Sequence, residues 1–292
     1  MATREWGVLG NSMRGPNHTT SGLPNQDSIR IYPGGNGKAT IIAVADGHGS
    51  SIHFRSAIGS QIAVGCAVRI LSNKFKKLDT LEIKKCVDDI PNLVCNAWND
   101  KIMLHYAQNK FSINELMVFE DNSRSNDFLE QIKLNTRIAY GTTLLVVVIK
   151  ESLVLYMQIG DGDILVVDES GDTHKPLPDD VQYSRYQTKS LCSDNAKLDF
   201  RVTTEDLNYS NPVLVTASTD GYSNSFIDSL DFVKTASGYL DMLKLIGPYL
   251  LQKIMRDLLL RTTTYGSGDD ITMAIAYRSD KIGRNGLLFP QN

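Results

Sequence analysis

Apolar positions along this chain fall into two kinds of run. Residues 39–45, 142–149, 213–218 and 271–277 are short, nearly unbroken stretches rich in β-branched side chains, the pattern of buried strands. Residues 6–9, 28–32, 152–159 and 164–168 read as further strands. The polar break Lys150-Glu151 predicts a hairpin, and Pro33-Gly34-Gly35-Asn36-Gly37 and Gly171-Asp172 predict turns. Residues 11–24 read as a polar, glycine-rich loop. The second kind of run has helical spacing. Residues 52–75 carry Ile58, Ile62, Cys66, Val68 and Leu71 on one face, with Ser50 or Ser51 placed to cap the N-terminus. Residues 81–110 form a second helical region with a break or restart at Pro91, and residues 230–260 a third, split near Gly247-Pro248. Residues 128–135 fit a short helix, and residues 175–211 are polar and poorly periodic, which predicts a long surface segment.

The order is strands, two helices, strands, helix, strand. That segregation argues against a doubly wound parallel sheet and for an α+β fold, with helices packed outside two sheets. No repeat or linker divides the 292 residues. One domain over 1–292 is expected, with a core of about 6–277 and a tail at 278–292.

Composition removes several classes of function. The net charge of -3, from 30 basic and 33 acidic residues, is too balanced for nucleic acid or an anionic membrane as the main partner. The four cysteines form no CxxC pair and read as reduced core thiols. The first residues lack the apolar core of a signal peptide, and no apolar run is long enough to span a bilayer. A cytoplasmic monomer is the expectation. His53, His105 and His174 have no partner spacing and read as surface or packing residues; Lys74, Lys76 and Lys77 read as a solvated helix end.

Chemistry concentrates in five aspartates beside short apolar runs: Asp27, Asp46, Asp161, Asp220 and Asp269. Asp46, Asp161 and Asp220 follow predicted strands, and Asp269 precedes one. Antiparallel pairing brings those two kinds of strand end to one edge. Carboxylates gathered there repel one another unless cations lie between them, which predicts a hard-metal site of oxygen ligands. In Asp46-Gly47-His48-Gly49 the glycine permits close backbone approach, and His48 is placed for general acid work. No Gly-x-Ser-x-Gly elbow and no cysteine in a phosphate-binding loop is present.

Taken in order, Asn25-Gln26-Asp27, Asp46-Gly47-His48-Gly49, Gly141-Thr142-Thr143, Gly160-Asp161-Gly162, Thr219-Asp220-Gly221 and Ser267-Gly268-Asp269-Asp270-Ile271-Thr272 resemble the metal-dependent Ser/Thr protein phosphatases of type 2C. Gly15-Pro16-Asn17-His18 and the Gly160-Asp161-Gly162 form resemble a bacterial branch. The resemblance implies a four-layer α-β-β-α sandwich, two central antiparallel β-sheets flanked by helices. It implies two Mn²⁺ or Mg²⁺ ions and a third, weaker one. Asp46 would bridge two ions, the Gly47 carbonyl would bind one of them, and Asp220 and Asp269 the other. Asp27 and Gln26 would reach the metals directly or through water, and Asp161 would hold the third ion. A metal-bridging hydroxide would attack phosphorus directly while His48 protonates the leaving oxygen. The implied substrates are phosphoserine and phosphothreonine proteins, with a cognate Ser/Thr kinase as partner.

Departures accompany the match. Gln26 stands where many members carry glutamate, Asn224 where an acid is frequent, Asp270 where asparagine is frequent, and Gly22 where an arginine holds phosphate. Arg14 or His18 is expected to replace that arginine in binding substrate. Gln26, Gly22 and Asn224 support an alternative, a catalytically weak member acting as a phosphoprotein-binding regulatory module, whereas Asp270 adds charge back. Residues 175–211 lie where the family carries a flap, with Tyr183, Arg185 and Tyr186 as candidate substrate contacts.

Overall fold

In the computed structural model, which describes residues 5–35, 38–117, 125–178 and 188–282, and of 125–128 the backbone only, the apolar runs become two antiparallel sheets. In chain order the strands are β1 (Trp6–Met13), β2 (Ser28–Tyr32), β3 (Thr40–Ala45), β4 (Leu144–Lys150), β5 (Leu153–Ile159), β6 (Asp163–Asp168), β7 (Thr173–His174), β8 (Arg201–Asp206), β9 (Pro212–Ser218) and β10 (Ile271–Arg278). One sheet runs β1-β10-β9-β6-β7 and the other β2-β3-β4-β5-β8. The helices are α1 (Pro16–Ser21), α2 (Ser56–Lys77), α3 (Thr80–Lys85), α4 (Ile90–Gln108), α5 (Ile113–Met117), α6 (Ser125–Leu134), α7 (Ala196–Asp199), α8 (Asp220–Ser223) and α9 (Ser229–Tyr265).

Strand alternation sorts the apolar side chains into three layers. Ile42, Val44, Leu145 and Val147 from one sheet meet Val166, Val215, Ala217 and Ala274 from the other. The opposite face of the second sheet, with Ile41, Val146, Val148 and Leu155, packs on Ala67, Leu71, Val94 and Trp98 of α2 and α4. The opposite face of the first sheet, with Leu9, Leu165 and Ile275, packs on Leu240, Leu243, Met255 and Leu259 of α9. These layers are the α-β-β-α sandwich expected from the sequence. The core strands are buried along their whole length because helices cover each outer face.

Several expectations need correction. The predicted loop 11–24 contains the last three residues of β1 and all of α1. Neither Ser50 nor Ser51 caps α2, which starts at Ser56; residues 51–53 form a separate 3₁₀ turn. That turn folds the chain back so that Arg55 N donates to the Ala139 carbonyl at 2.7 Å. Within the segment 175–211 the structure places α7 and β8. β8 is an edge strand, half-buried throughout, so it lacks the apolar alternation that marks a covered strand. Pro91 lies in the first turn of α4, where proline costs no hydrogen bond. Gly247 has φ 76° and breaks α9 immediately before Pro248, as the split predicts. Asn36 and Gly37, Tyr183, Arg185 and Tyr186, and the tail from 283 onward lie outside the described residues.

Candidate active site

Four of the five aspartates and His48 converge on one cleft of about 530 Å³ at an edge of the sandwich. The topology explains the convergence. β3 ends at Ala45, β9 at Ser218, and β10 begins at Ile271. The turn carrying Asp161 crosses from β5 in one sheet to β6 in the other. Asp46, Asp161, Asp220 and Asp269 therefore line the same opening. Asp27 lies behind it, buried, and accepts the Thr219 hydroxyl at 2.7 Å.

The Asp46 backbone is clasped on both sides. Its carbonyl accepts Thr142 Oγ1 at 2.7 Å and Thr143 N at 2.8 Å, and its N–H donates to Thr143 Oγ1 at 3.0 Å. Gly47 N donates to the Gln26 carbonyl at 3.2 Å and His48 N to the Gly141 carbonyl at 3.1 Å. A Cβ on Gly47 would lie 2.7 Å from the Gln26 carbonyl oxygen and 2.8 Å from that of Ser56, so only glycine fits between those two backbone segments. Asn224 Nδ2 donates to Asp220 Oδ2 at 3.0 Å; the amide that departs from the family's frequent acid orients this carboxylate.

The electrostatics are those of crowded acids. Burial, then the neighbouring Asp27 and Asp220, push the Asp46 carboxyl well above the usual carboxylate range. Burial raises Asp27 well above it too, with Asp270 and Asp269 adding to the effect. Asp220 is raised by burial too, with Asp161 and Asp269 adding to the effect. Among the described residues no three His, Cys, Asp or Glu side chains already form a group able to hold a metal. Acids this close hold protons unless a cation offsets their charge, so the spacing of the side chains and the chemistry of the donors point in different directions. The donors decide the fit. They are oxygens throughout the carboxylate set, and Gln26 Oε1 is a buried acceptor with no hydrogen-bond partner. This set suits divalent cations.

Neighbouring residues separate from the site by their contacts. Asp163 is paired with Lys175 at 2.7 Å, whereas Asp161 accepts the Thr188 hydroxyl at 2.7 Å. His18 lines the cleft. Arg14 does not line it: its Nη2 donates to the His18 carbonyl at 2.8 Å. His53 was expected to be a surface or packing residue and is instead a wall of the cleft. Its ring lies 4.8 Å from that of His48, and its Nδ1 meets the Ile138 carbonyl at 2.5 Å. Burial and then His53 lower the His48 imidazole to about 3, and burial lowers His53 as well. Thr188, Ser190, Cys192 and Ser193 complete the opposite wall. No sequence spacing marks them; they are tied to the site by Leu191 N donating to the Thr142 carbonyl at 2.9 Å, Thr142 N donating to Ser190 Oγ at 3.1 Å and the Thr188 hydroxyl donating to Asp161.

A family model described as protein phosphatase 2C matches residues 14–259. No curated protein matches the chain by sequence. Among solved structures, PppA of Pseudomonas aeruginosa, described as a key regulatory component of T6SS, is 15% identical with a TM-score of 0.59, covering 94% of this chain and 98% of its own. The serine/threonine phosphatase of S. agalactiae is 18% identical with a TM-score of 0.57, covering 93% and 99%. The catalytic domain of the serine threonine protein phosphatase PstP, solved with two manganese ions, is 14% identical with a TM-score of 0.53, covering 93% and 97%.

Proposed function

The chain belongs to the protein phosphatase 2C family, and on that premise we propose that it hydrolyses phosphoserine and phosphothreonine in proteins with the help of divalent cations. The observation that carries this reading is the convergence of Asp46, Asp161, Asp220, Asp269 and His48 on a single cleft. Asp46, Asp220, Asp269 and the Gly47 carbonyl are the groups that would hold Mn²⁺ or Mg²⁺, with Asp27 and Gln26 behind them and Asp161 at the rim. Bound there, such ions lower the pKa of water and offset charge on phosphoryl oxygens.

The chain's own residues supply the rest. Thr142 and Thr143 fix the Asp46 backbone, and Asn224 fixes Asp220, so these carboxylates are presented without reorganisation. His48 faces the leaving serine or threonine oxygen and transfers a proton to it. Burial disfavours its charged form; the doubly negative phosphoryl group entering the cleft acts in the opposite sense and favours the imidazolium. Arg14, tied to the His18 backbone, supports the loop rather than the phosphate. Phosphorylated proteins are the substrates this reading implies, with a Ser/Thr kinase acting on the same sites.

Release of phosphate from a phosphothreonine peptide tests the proposal. Turnover with Mn²⁺ or Mg²⁺ that stops when EDTA is added supports it. Turnover that EDTA leaves unchanged contradicts it. Tight binding of the phosphopeptide without hydrolysis under any metal condition favours the phosphoprotein-binding alternative.

A further inference from the structure

Beside the carboxylate cluster, His18 lies between Asp270 and Asp269. His18 sits on α1 with its side chain 12% exposed. Its Nδ1 lies 2.7 Å from Asp270 Oδ2. Asp270 is buried, and both its oxygens already accept backbone donors: Gly15 N at 2.7 Å on Oδ1 and Gln26 N at 2.6 Å on Oδ2. An acceptor held in that way requires the proton on His18 Nδ1. In the neutral ring Nε2 then keeps its lone pair, and it points into the cleft 3.7 Å from Asp269 Oδ1. That distance is too long for a hydrogen bond. It is shorter than two metal–ligand bonds of about 2.1 Å laid end to end, so one ion can reach both atoms.

Gln26 supplies the independent sign. Its side chain is 5% exposed, and Oε1 has no hydrogen-bond partner. The side-chain position missing at Gly49 lies 3.7 Å from Gln26 Oε1 and 4.0 Å from His18 Nε2. Gln26 Oε1 and His18 Nε2 thus approach one point beside Gly49, and His18 Nε2 also approaches Asp269. A metal-binding histidine characteristically donates its second ring N–H to a carboxylate, which fixes the tautomer and ring orientation. The Asp270–His18 pair has that form.

We propose that His18 Nε2, with Asp269 and Gln26 Oε1, forms a nitrogen-containing cation subsite adjoining the aspartate cluster. The inference rests on the metal-dependent reading above and adds to it a ligand that the aspartate motifs do not contain. Asp270 is a positioning residue for this ligand. An imidazole nitrogen is a poorer ligand for Mg²⁺ than for transition-metal ions, so the subsite would disfavour Mg²⁺.

Pulsed EPR of the full chain loaded with Mn²⁺ alone tests this, because a coordinated imidazole nitrogen couples to the manganese spin. The expected result is a ¹⁴N coupling in the wild type that disappears in His18→Gln and persists in His48→Gln. Calorimetric titration of the same variants should show Mn²⁺ binding about ten-fold or more weaker in His18→Gln, with a smaller change for Mg²⁺. Bound Mn²⁺ without nitrogen coupling in the wild type, or coupling that survives in His18→Gln, overturns the proposal and leaves the phosphatase reading standing. Absence of any Mn²⁺ binding overturns both. Should His18→Gln fail to fold, His48→Gln and His53→Gln decide: loss of coupling in either overturns the proposal, and its retention in both supports it.

Discussion

His48 shows how far one residue's role depends on its surroundings. Its ring is tilted against His53 and largely removed from water, and burial with that neighbour brings it down to about 3. Its contribution is expected where a poor leaving group needs a proton, with the bound phosphoryl group offsetting that shift. His48→Gln should slow hydrolysis of a phosphothreonine peptide by roughly 10²–10³-fold, within the usual range for a positioned acid. It should change hydrolysis of an activated aryl phosphate far less. Steady-state rates on the two substrates check this, and equal losses on both would assign His48 to structure. Gly47 makes a steric prediction. A methyl there must displace the Gln26 or Ser56 backbone, so Gly47→Ala should destabilise the fold by roughly 1–3 kcal/mol, read by chemical denaturation.

At the scale of elements, the start of α2 is tied down by one buried guanidinium. Arg55 donates to both carboxylate oxygens of Glu115, at 2.6 and 3.0 Å, to the Tyr140 hydroxyl at 2.7 Å, and to the Asn109 and Lys110 carbonyls. The bond from Arg55, more than any other cause, lowers the Glu115 carboxyl to about 2. A depressed carboxyl stabilises the folded chain above its unfolded value near 4.5 and loses that contribution as pH falls through about 2. Wild type should therefore exceed Glu115→Gln in stability by about 1 kcal/mol at pH 7, a figure kept small because the carboxylate is partly exposed. The gap should narrow between pH 4.5 and 2, and denaturant titrations across that range will show it. A gap independent of pH would contradict the assignment. Where α2 ends, buried Lys150 donates to the Phe75 and Leu78 carbonyls, a cation at the negative end of a helix. The sequence made the strands that bear aspartates legible because their runs are apolar from end to end. It left β8 hidden because Thr203, Thr204, Glu205 and Asp206 are half-buried edge residues. Asp46, Asp161, Asp220 and Asp269 were readable from their place beside strands. His53 was not, since it reaches the cleft only by a turn whose bonds run to Ile138 and Ala139, more than eighty residues away in sequence.

For the whole molecule, the sandwich holds acids from both sheets against one another at a common edge, and the charge there opposes folding until something offsets it. Any cation that binds only the folded state adds stability by mass action, about 2.7 kcal/mol at a hundred times its Kd. Thermal unfolding should accordingly shift upward with Mn²⁺ and return with EDTA, and Asp46→Asn should blunt the shift. The measurement that tests the central claim most directly is phosphate release from a phosphothreonine peptide by wild type and Asp220→Asn, each with Mn²⁺ and with EDTA. The account predicts turnover by the wild type with Mn²⁺ only, and a loss of most of that turnover in the variant. Equal turnover by the two chains, with or without Mn²⁺, would contradict it.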